Sequence, residues 1–127
     1  MRRWTFGAAD GVPEPVAPYA HVTEASGLLC VTGQMPIDPS TGGLVPGGID
    51  EQTDQVMVNL ARVLELCGSR LEQVLHARAY LVSVELFAAF NGAYERWFLH
   101  GLPARTCVAV DGLALGALVE VDLLVAR

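Results

Sequence analysis

The sequence predicts an α+β domain in which one mixed β-sheet carries two helices on a single face. The first observation is the order of the predicted elements, β-β-β-α-β-α-β-β, which contains only two helices. The second is that the predicted strands alternate between an aliphatic face and a mixed face, and helices cover only an aliphatic face. The chain has 127 residues, of which 52% are hydrophobic and 17% charged. This length supports one core but not two, so residues 1–127 are predicted to form a single domain.

The elements of the first half follow from turn residues and periodicity. Residues 3–6 are predicted to form a short strand, and residues 10–18 a proline-rich extended loop. A hairpin over residues 21–26 and 28–32 turns at Gly27, and a loop rich in proline and glycine follows over residues 35–48. The first helix is predicted from the spacing of its apolar residues, and Gly68 ends it. Those apolar residues are Ile49, Val56, Leu60, Val63, Leu64 and Cys67.

The second half contains three more strands and one helix. A strand is predicted over residues 74–82, a helix over 84–98, and two strands over 105–110 and 118–125. The buried stripe of this helix is expected to contain Leu86, Phe87, Phe90, Tyr94 and Phe98.

Alternation along the strands divides the sheet into two faces. The aliphatic face, expected under the helices, contains Leu29, Val31, Ala77, Ala79, Leu81, Thr106, Val108, Val110, Val119, Val121, Leu123 and Val125. The opposite face contains Leu28, Cys30, Thr32, His76, Arg78, Tyr80, Arg105, Cys107, Ala109, Leu118, Glu120, Asp122 and Leu124. That face is too apolar for bare solvent and too polar for a core, which predicts contact with another copy of the chain. Arg105 and Glu120, on neighbouring strands, are therefore predicted to form a site at a subunit boundary.

Composition excludes several classes of function. All eight basic residues are arginines, so Schiff-base chemistry and the Walker lysine are excluded. A net charge of −6 argues against nucleic acid as the main partner, and no apolar run is long enough for a membrane helix. The three cysteines show no pairing pattern and no secretory signal is expected, which predicts a cytoplasmic protein. The three histidines lack ligand spacing, so no metal site is predicted.

Arg105 and Glu120 are the principal candidates for chemistry. Arg105 suits a bidentate clamp on a small carboxylate substrate, although it could instead pair with Glu120 or Asp122 on the surface. Glu120 interrupts an aliphatic strand, where an unpaired carboxylate is costly. It therefore either pairs with Arg105 or Arg78, or performs acid–base work on a water or a proton.

Three further residues each have two interpretations. Cys107 either lines the pocket or acts as a nucleophile, and no histidine is placed beside it by sequence to activate it. Tyr19, in the proline-rich loop, either caps the sheet edge or lines a pocket. Asn91 is either a solvated helix residue or a polar contact in a pocket.

Six segments together resemble the Rid family (reactive intermediate deaminases, also called YjgF-like), and the resemblance covers nearly the whole chain. The segments are Ala17-Pro18-Tyr19, Val31-Thr32-Gly33-Gln34, Asp50 to Leu64, Phe90-Asn91-Gly92-Ala93-Tyr94, Pro103-Ala104-Arg105-Thr106-Cys107-Val108 and Gly116-Ala117-Leu118-Val119-Glu120-Val121.

The resemblance implies a chorismate-mutase-like fold, a homotrimer with clefts between subunits, and hydrolysis of 2-imino or enamino acids to 2-oxo acids and ammonia without a cofactor. Arg105 would hold the substrate carboxylate and Glu120 would position the attacking water. Tyr19, Gly33, Asn91 and Cys107 would line the pocket. Ala20 stands where relatives often have a serine, so the substrate is left open. The alternatives are a related reaction on another pathway intermediate, and a trimer that senses ligands or binds client proteins without turnover.

Overall fold

The computed structural model describes all residues 1–127 and contains six strands and two α-helices. The strands are β1 (Arg2–Trp4), β2 (Val22–Ala25), β3 (Leu28–Gln34), β4 (Val74–Leu81), β5 (Ala104–Ala109) and β6 (Val119–Ala126). The helices are α1 (Ile49–Leu66) and α2 (Phe87–Glu95). Short 3₁₀ turns lie at Ala8–Asp10, Leu71–Gln73, Val84–Leu86 and Ala114–Gly116.

The strands form one mixed sheet in the order β1-β2-β3-β6-β4-β5. All neighbouring pairs are antiparallel except β4 and β5, which are parallel. The crossovers β3-α1-β4 and β4-α2-β5 proceed in the same direction across the sheet. Because such crossovers are right-handed, both helices lie on one face, as predicted.

The core lies between this face and the two helices. The inward residues of β4 are Ala77, Ala79 and Leu81, each at most 1% exposed. The inward residues of β6 are Val119, Val121, Leu123 and Val125, all buried. From α1 the core receives Val56, Leu60, Val63 and Leu64, and from the α2 region Phe90, Tyr94 and Phe98. Burial of each large apolar side chain contributes about 1.5–3 kcal/mol to stability. The predicted aliphatic face is thus confirmed for β3, β4 and β6.

The predicted face of β5 is wrong. Arg105 pairs with buried Ala77 and Cys107 with buried Ala79, so both side chains lie on the helix-covered face. Val108, predicted to be covered, is instead 45% exposed. Alternation shows which residues share a face but not which face is covered. Here β5 is an edge strand, so its aliphatic residues are not needed to complete the core.

Two further expectations are corrected. The strands of Arg105 and Glu120 are not neighbours, because β4 lies between β5 and β6. The second helix is also shorter than predicted, since residues 84–86 form a 3₁₀ turn and α2 ends at Glu95. Phe98 still packs into the core from the turn that follows the helix. Neither helix is both long and apolar enough to cross a bilayer.

Candidate functional site

The predicted site residues form two clusters on opposite faces of the sheet. Glu120 pairs with Tyr80 of β4, whereas Arg105 pairs with Ala77. Side chains of residues 77 and 80 point to opposite faces because their separation is odd. Within one chain, therefore, the guanidinium and the carboxylate do not meet. We call the two clusters the acid half-site and the arginine half-site.

The acid half-site is a cavity of about 270 Å³ that brings together Tyr19, Gly33 and Glu120. Its walls come from the proline-rich loop, the end of β3 and Ala114 in the loop before β6. The pairing of β3 with β6 is irregular between Val31 and Gln34, and Gly33 lies within this irregularity. A Cβ on Gly33 would lie 2.9 Å from Cδ of Glu120, a distance too short for real atoms. The absence of a side chain at Gly33 therefore makes room for the carboxylate.

Glu120 has no hydrogen-bonding or ionic partner within the chain, so of its two interpretations the pairing with Arg105 or Arg78 is not found. The guanidinium of Arg78 instead donates to Asp122 at 2.7 Å, and the Tyr80 hydroxyl donates to the same carboxylate at 2.8 Å. Burial raises the pKa of Glu120, and the negative charge of Asp122 raises it further. A carboxylate whose pKa is shifted towards neutrality is suited to accept a proton from water.

The loop that supplies Tyr19 is held in place by a buried histidine. The ring of His21 is fully buried, and its Nδ1 accepts a hydrogen bond from the Phe6 amide at 3.1 Å. The Nε2–H then donates to the carbonyl of Pro13 at 3.3 Å. Burial lowers the pKa of His21, which keeps the ring neutral in this arrangement. The Tyr19 ring packs edge-on against His21 at 5.7 Å between centroids, so the loop presents Tyr19 to the cavity in a defined position.

The arginine half-site is a cavity of about 340 Å³ on the other side of the sheet. Its lining consists of Asn91, Tyr94, Glu95, Leu102, Pro103 and Arg105. The guanidinium carbon of Arg105 lies 5.1 Å from the ring centroid of Tyr94 and 5.6 Å from those of Phe87 and Phe90. No carboxylate of the chain lies within ion-pair distance of Arg105. Cation–π contacts thus support the guanidinium while its N–H groups have no partner in the chain.

Cys107 lies on the same face as Arg105 but does not line this cavity. Its side chain packs against the main core beneath the helices. Burial raises the pKa of the thiol, and the opposing effect of the Arg105 charge is smaller. The thiol is therefore protonated at neutral pH, which does not favour a nucleophilic role.

Sequence reasoning misses two residues that affect the candidate site, one in the arginine half-site and one beside the acid half-site. Tyr94 was assigned only to the core, although its separation of three residues from Asn91 places both on one side of α2. Asp122 is predicted to share a face with Glu120 and is considered only as an ion-pair partner of Arg105, although its charge also raises the pKa of Glu120. No three His, Cys, Asp or Glu side chains come together in a group that could hold a metal ion.

Comparison with known proteins identifies the family. The family model described as Endoribonuclease L-PSP matches residues 10–127, so the chain belongs to this family, the Rid (YjgF-like) family. A RutC family protein of Pyrococcus horikoshii is 37% identical over 113 residues, covering 89% of this chain and 90% of the relative. The 2-iminobutanoate/2-iminopropanoate deaminase of Capra hircus is 31% identical over 110 residues, covering 87% and 80%.

Solved structures agree with this assignment. The crystal structure of RidA from the Antarctic bacterium Psychrobacter sp. superimposes with a TM-score of 0.92 at 25% identity and covers 100% of both chains. The fold is accordingly the chorismate-mutase-like fold of this family, as the resemblance implied.

Proposed function

We propose that this protein is a deaminase that hydrolyses small 2-imino or enamino acids to 2-oxo acids and ammonia, in sites shared between subunits of a homotrimer. The observation that carries the proposal is the unpaired guanidinium of Arg105, held by three aromatic rings in an open cavity. A planar guanidinium group with free N–H donors can form two parallel hydrogen bonds to a carboxylate. The deaminase name of the Capra hircus relative supports the choice of reaction.

The opposite placement of the two half-sites supports a site shared between subunits. One half-site offers an unpaired cation and the other an unpaired acid, so each supplies what the other lacks. A second copy that docks its arginine half-site against the acid half-site would complete one cavity. A closed ring of such head-to-tail contacts would complete every cavity in the assembly. The homotrimer is the arrangement that family membership implies.

The proposed reaction needs only positioning and one group that accepts and returns protons. Arg105 holds the substrate carboxylate and thereby fixes the adjacent iminium carbon, which is already electrophilic. Glu120 accepts a proton from a water as its oxygen bonds to that carbon. Glu120 then passes that proton to the nitrogen of the carbinolamine, which leaves as ammonia with the electrons of the C–N bond. The hydroxyl group loses its proton to Glu120 and becomes the carbonyl of the 2-oxo acid. Tyr19, Gly33 and Asn91 surround the reacting atoms, and no cofactor is required. Orientation and proton transfer together account for the rate enhancement.

The name of the family, Endoribonuclease L-PSP, suggests ribonuclease activity as another candidate, but the charge of the chain does not favour it. The net charge is −6, whereas phosphate-backbone binding requires a surface rich in cations. A role in ligand sensing without turnover would use the same arginine half-site. Measuring ammonia release beside ligand binding separates that role from catalysis.

Complementation between two inactive variants tests the proposal. Arg105→Ala and Glu120→Gln should each abolish or strongly slow ammonia release from enzymatically generated 2-iminobutanoate. Co-refolding the two variants in equal amounts should restore about a quarter of the wild-type activity, because about one site in four then combines an intact Arg105 with an intact Glu120.

The control is the same mixture assayed immediately after mixing and without refolding, before subunits exchange, and its activity should stay at the level of the variants. Activity that stays lost after co-refolding would exclude a site shared between subunits. Full activity in either single variant would remove that residue from the mechanism.

A further inference from the structure

Tyr94 of α2 carries a buried hydroxyl that the proposed reaction does not use. The residue is 3% exposed, and its hydroxyl forms no hydrogen bond with any group of the protein. Buried polar groups are nearly always paired, because an unpaired one lowers the stability of the folded state. Within one chain the hydroxyl therefore has no partner, and because its oxygen exposes less than 1 Å² of surface, an outside partner reaches it only after a small movement of the ring or its neighbours.

The position of Tyr94 indicates what that partner is. Its ring lies 5.1 Å from the guanidinium carbon of Arg105, and it lines the same cavity as Arg105 and Asn91. Asn91, one helical turn away, also has a buried side-chain oxygen without a partner. The chain has only three such buried atoms, and the third, on Thr53, lines none of the described cavities. Unpaired polar atoms are thus concentrated beside the guanidinium.

We propose that Tyr94 is a second polar contact for the carboxylate that Arg105 holds, its hydroxyl donating a hydrogen bond to that carboxylate directly or through one water. The inference rests on the proposed function only in taking the ligand of Arg105 to be a small 2-imino or 2-oxo acid.

The chemistry of the two groups supports this role. A carboxylate has about four lone-pair positions, and a bidentate guanidinium occupies only two of them. A hydroxyl donor can take a third. Burial raises the pKa of Tyr94 to about 12, so the hydroxyl keeps its proton at neutral pH and remains a donor. A group that is unpaired in the empty site and paired in the loaded site favours binding at the expense of stability.

This role has a distinctive signature in a hydroxyl-deletion variant. Tyr94→Phe keeps the ring beside Arg105 and removes only the hydroxyl. Its melting temperature should equal or exceed that of the wild type, while the Kd for 2-oxobutanoate, measured by calorimetry, should rise about tenfold. In turnover, KM should rise with kcat nearly unchanged, because the carboxylate is held equally in the ground state and the transition state.

Thr53→Val is the matched control, since it removes a buried unpaired hydroxyl away from the cavity. It should raise the melting temperature and leave the Kd unchanged. Unchanged binding by Tyr94→Phe would overturn the inference, and so would a lowered melting temperature, which would show that the hydroxyl is already paired in the free protein. Absence of 2-oxobutanoate binding by the wild type would also overturn it.

The inference and the proposed function can fail separately. Ammonia release by the wild type, with an unchanged KM in Tyr94→Phe, would refute the role of Tyr94 alone. Binding of 2-oxobutanoate that depends on Arg105 and Tyr94, without ammonia release, would refute the deaminase alone.

Discussion

A Cβ on Gly33 would lie 2.9 Å from the carboxyl carbon of Glu120, so the carboxylate occupies space that only glycine leaves free. The backbone of Gly33 is not in the left-handed region, and conformational freedom is therefore not the reason for glycine at this position. The requirement is steric: a residue of β3 determines where a side chain of β6 can lie.

Gly33→Ala should displace the Glu120 carboxylate while the fold is retained. A shift of about 1 Å in a catalytic group can lower the rate about 10²-fold, so kcat/KM for ammonia release should fall by that order. Gly43→Ala is a suitable control, because it also avoids positive φ and its Cβ would meet only Thr41 Oγ1 at 3.8 Å. Activity equal to that of the control would show that the exact position of Glu120 is unimportant.

Glu120→Gln should change the pH dependence of stability. Because the folded-state pKa of Glu120 is raised, the folded chain binds more protons than the unfolded chain between the unfolded pKa and the folded one. The contribution of Glu120 to the free energy of unfolding is therefore fully present below about pH 4.5, the ordinary pKa of a glutamate. It is lost as the pH rises through the folded-state pKa. Denaturant titrations at several pH values should show this decline in the wild type and a weaker decline in the variant. Identical slopes would contradict the raised pKa.

Asp122→Asn should shift the pH profile of activity. Asp122 raises the pKa of Glu120 by charge repulsion, so its neutralisation should lower that pKa. The acidic limb of kcat/KM should then move to lower pH, because Glu120 becomes deprotonated earlier. Asp50→Asn, at an exposed acid on the first turn of α1, should leave the limb in place. If the acidic limb of kcat/KM stays in place in Asp122→Asn, a group other than Glu120 determines the pH profile.

Cys107→Ala should retain most of the deaminase activity, because burial raises the pKa of the thiol and leaves little thiolate at neutral pH. In the wild type, iodoacetamide should also modify exposed Cys30 faster than Cys107, as mapped by mass spectrometry of unassembled chains. Loss of activity comparable to that of Glu120→Gln would instead indicate nucleophilic catalysis.

The sequence predicted the elements of the fold well and the geometry of the site only partly. Glu120 could be found because an acid between two valines, in a strand that is otherwise mostly aliphatic, contradicts its surroundings. The face of Arg105 could not, because it depends on β5 lying outside β4, which is a property of strand order and not of alternation. The role of Tyr94 could not be predicted for a different reason. The spacing of aromatic residues along a helix predicts which of them are buried, but it does not show whether a buried hydroxyl has a hydrogen-bonding partner.

The side chains of Arg105 and Glu120 leave the sheet in opposite directions, and this has a consequence for how the protein would behave at low concentration. If each reaction centre needs two chains, specific activity will decline on dilution even though every separated chain keeps its own core. The total activity in a cell would then rise more steeply than in proportion to the amount of the protein.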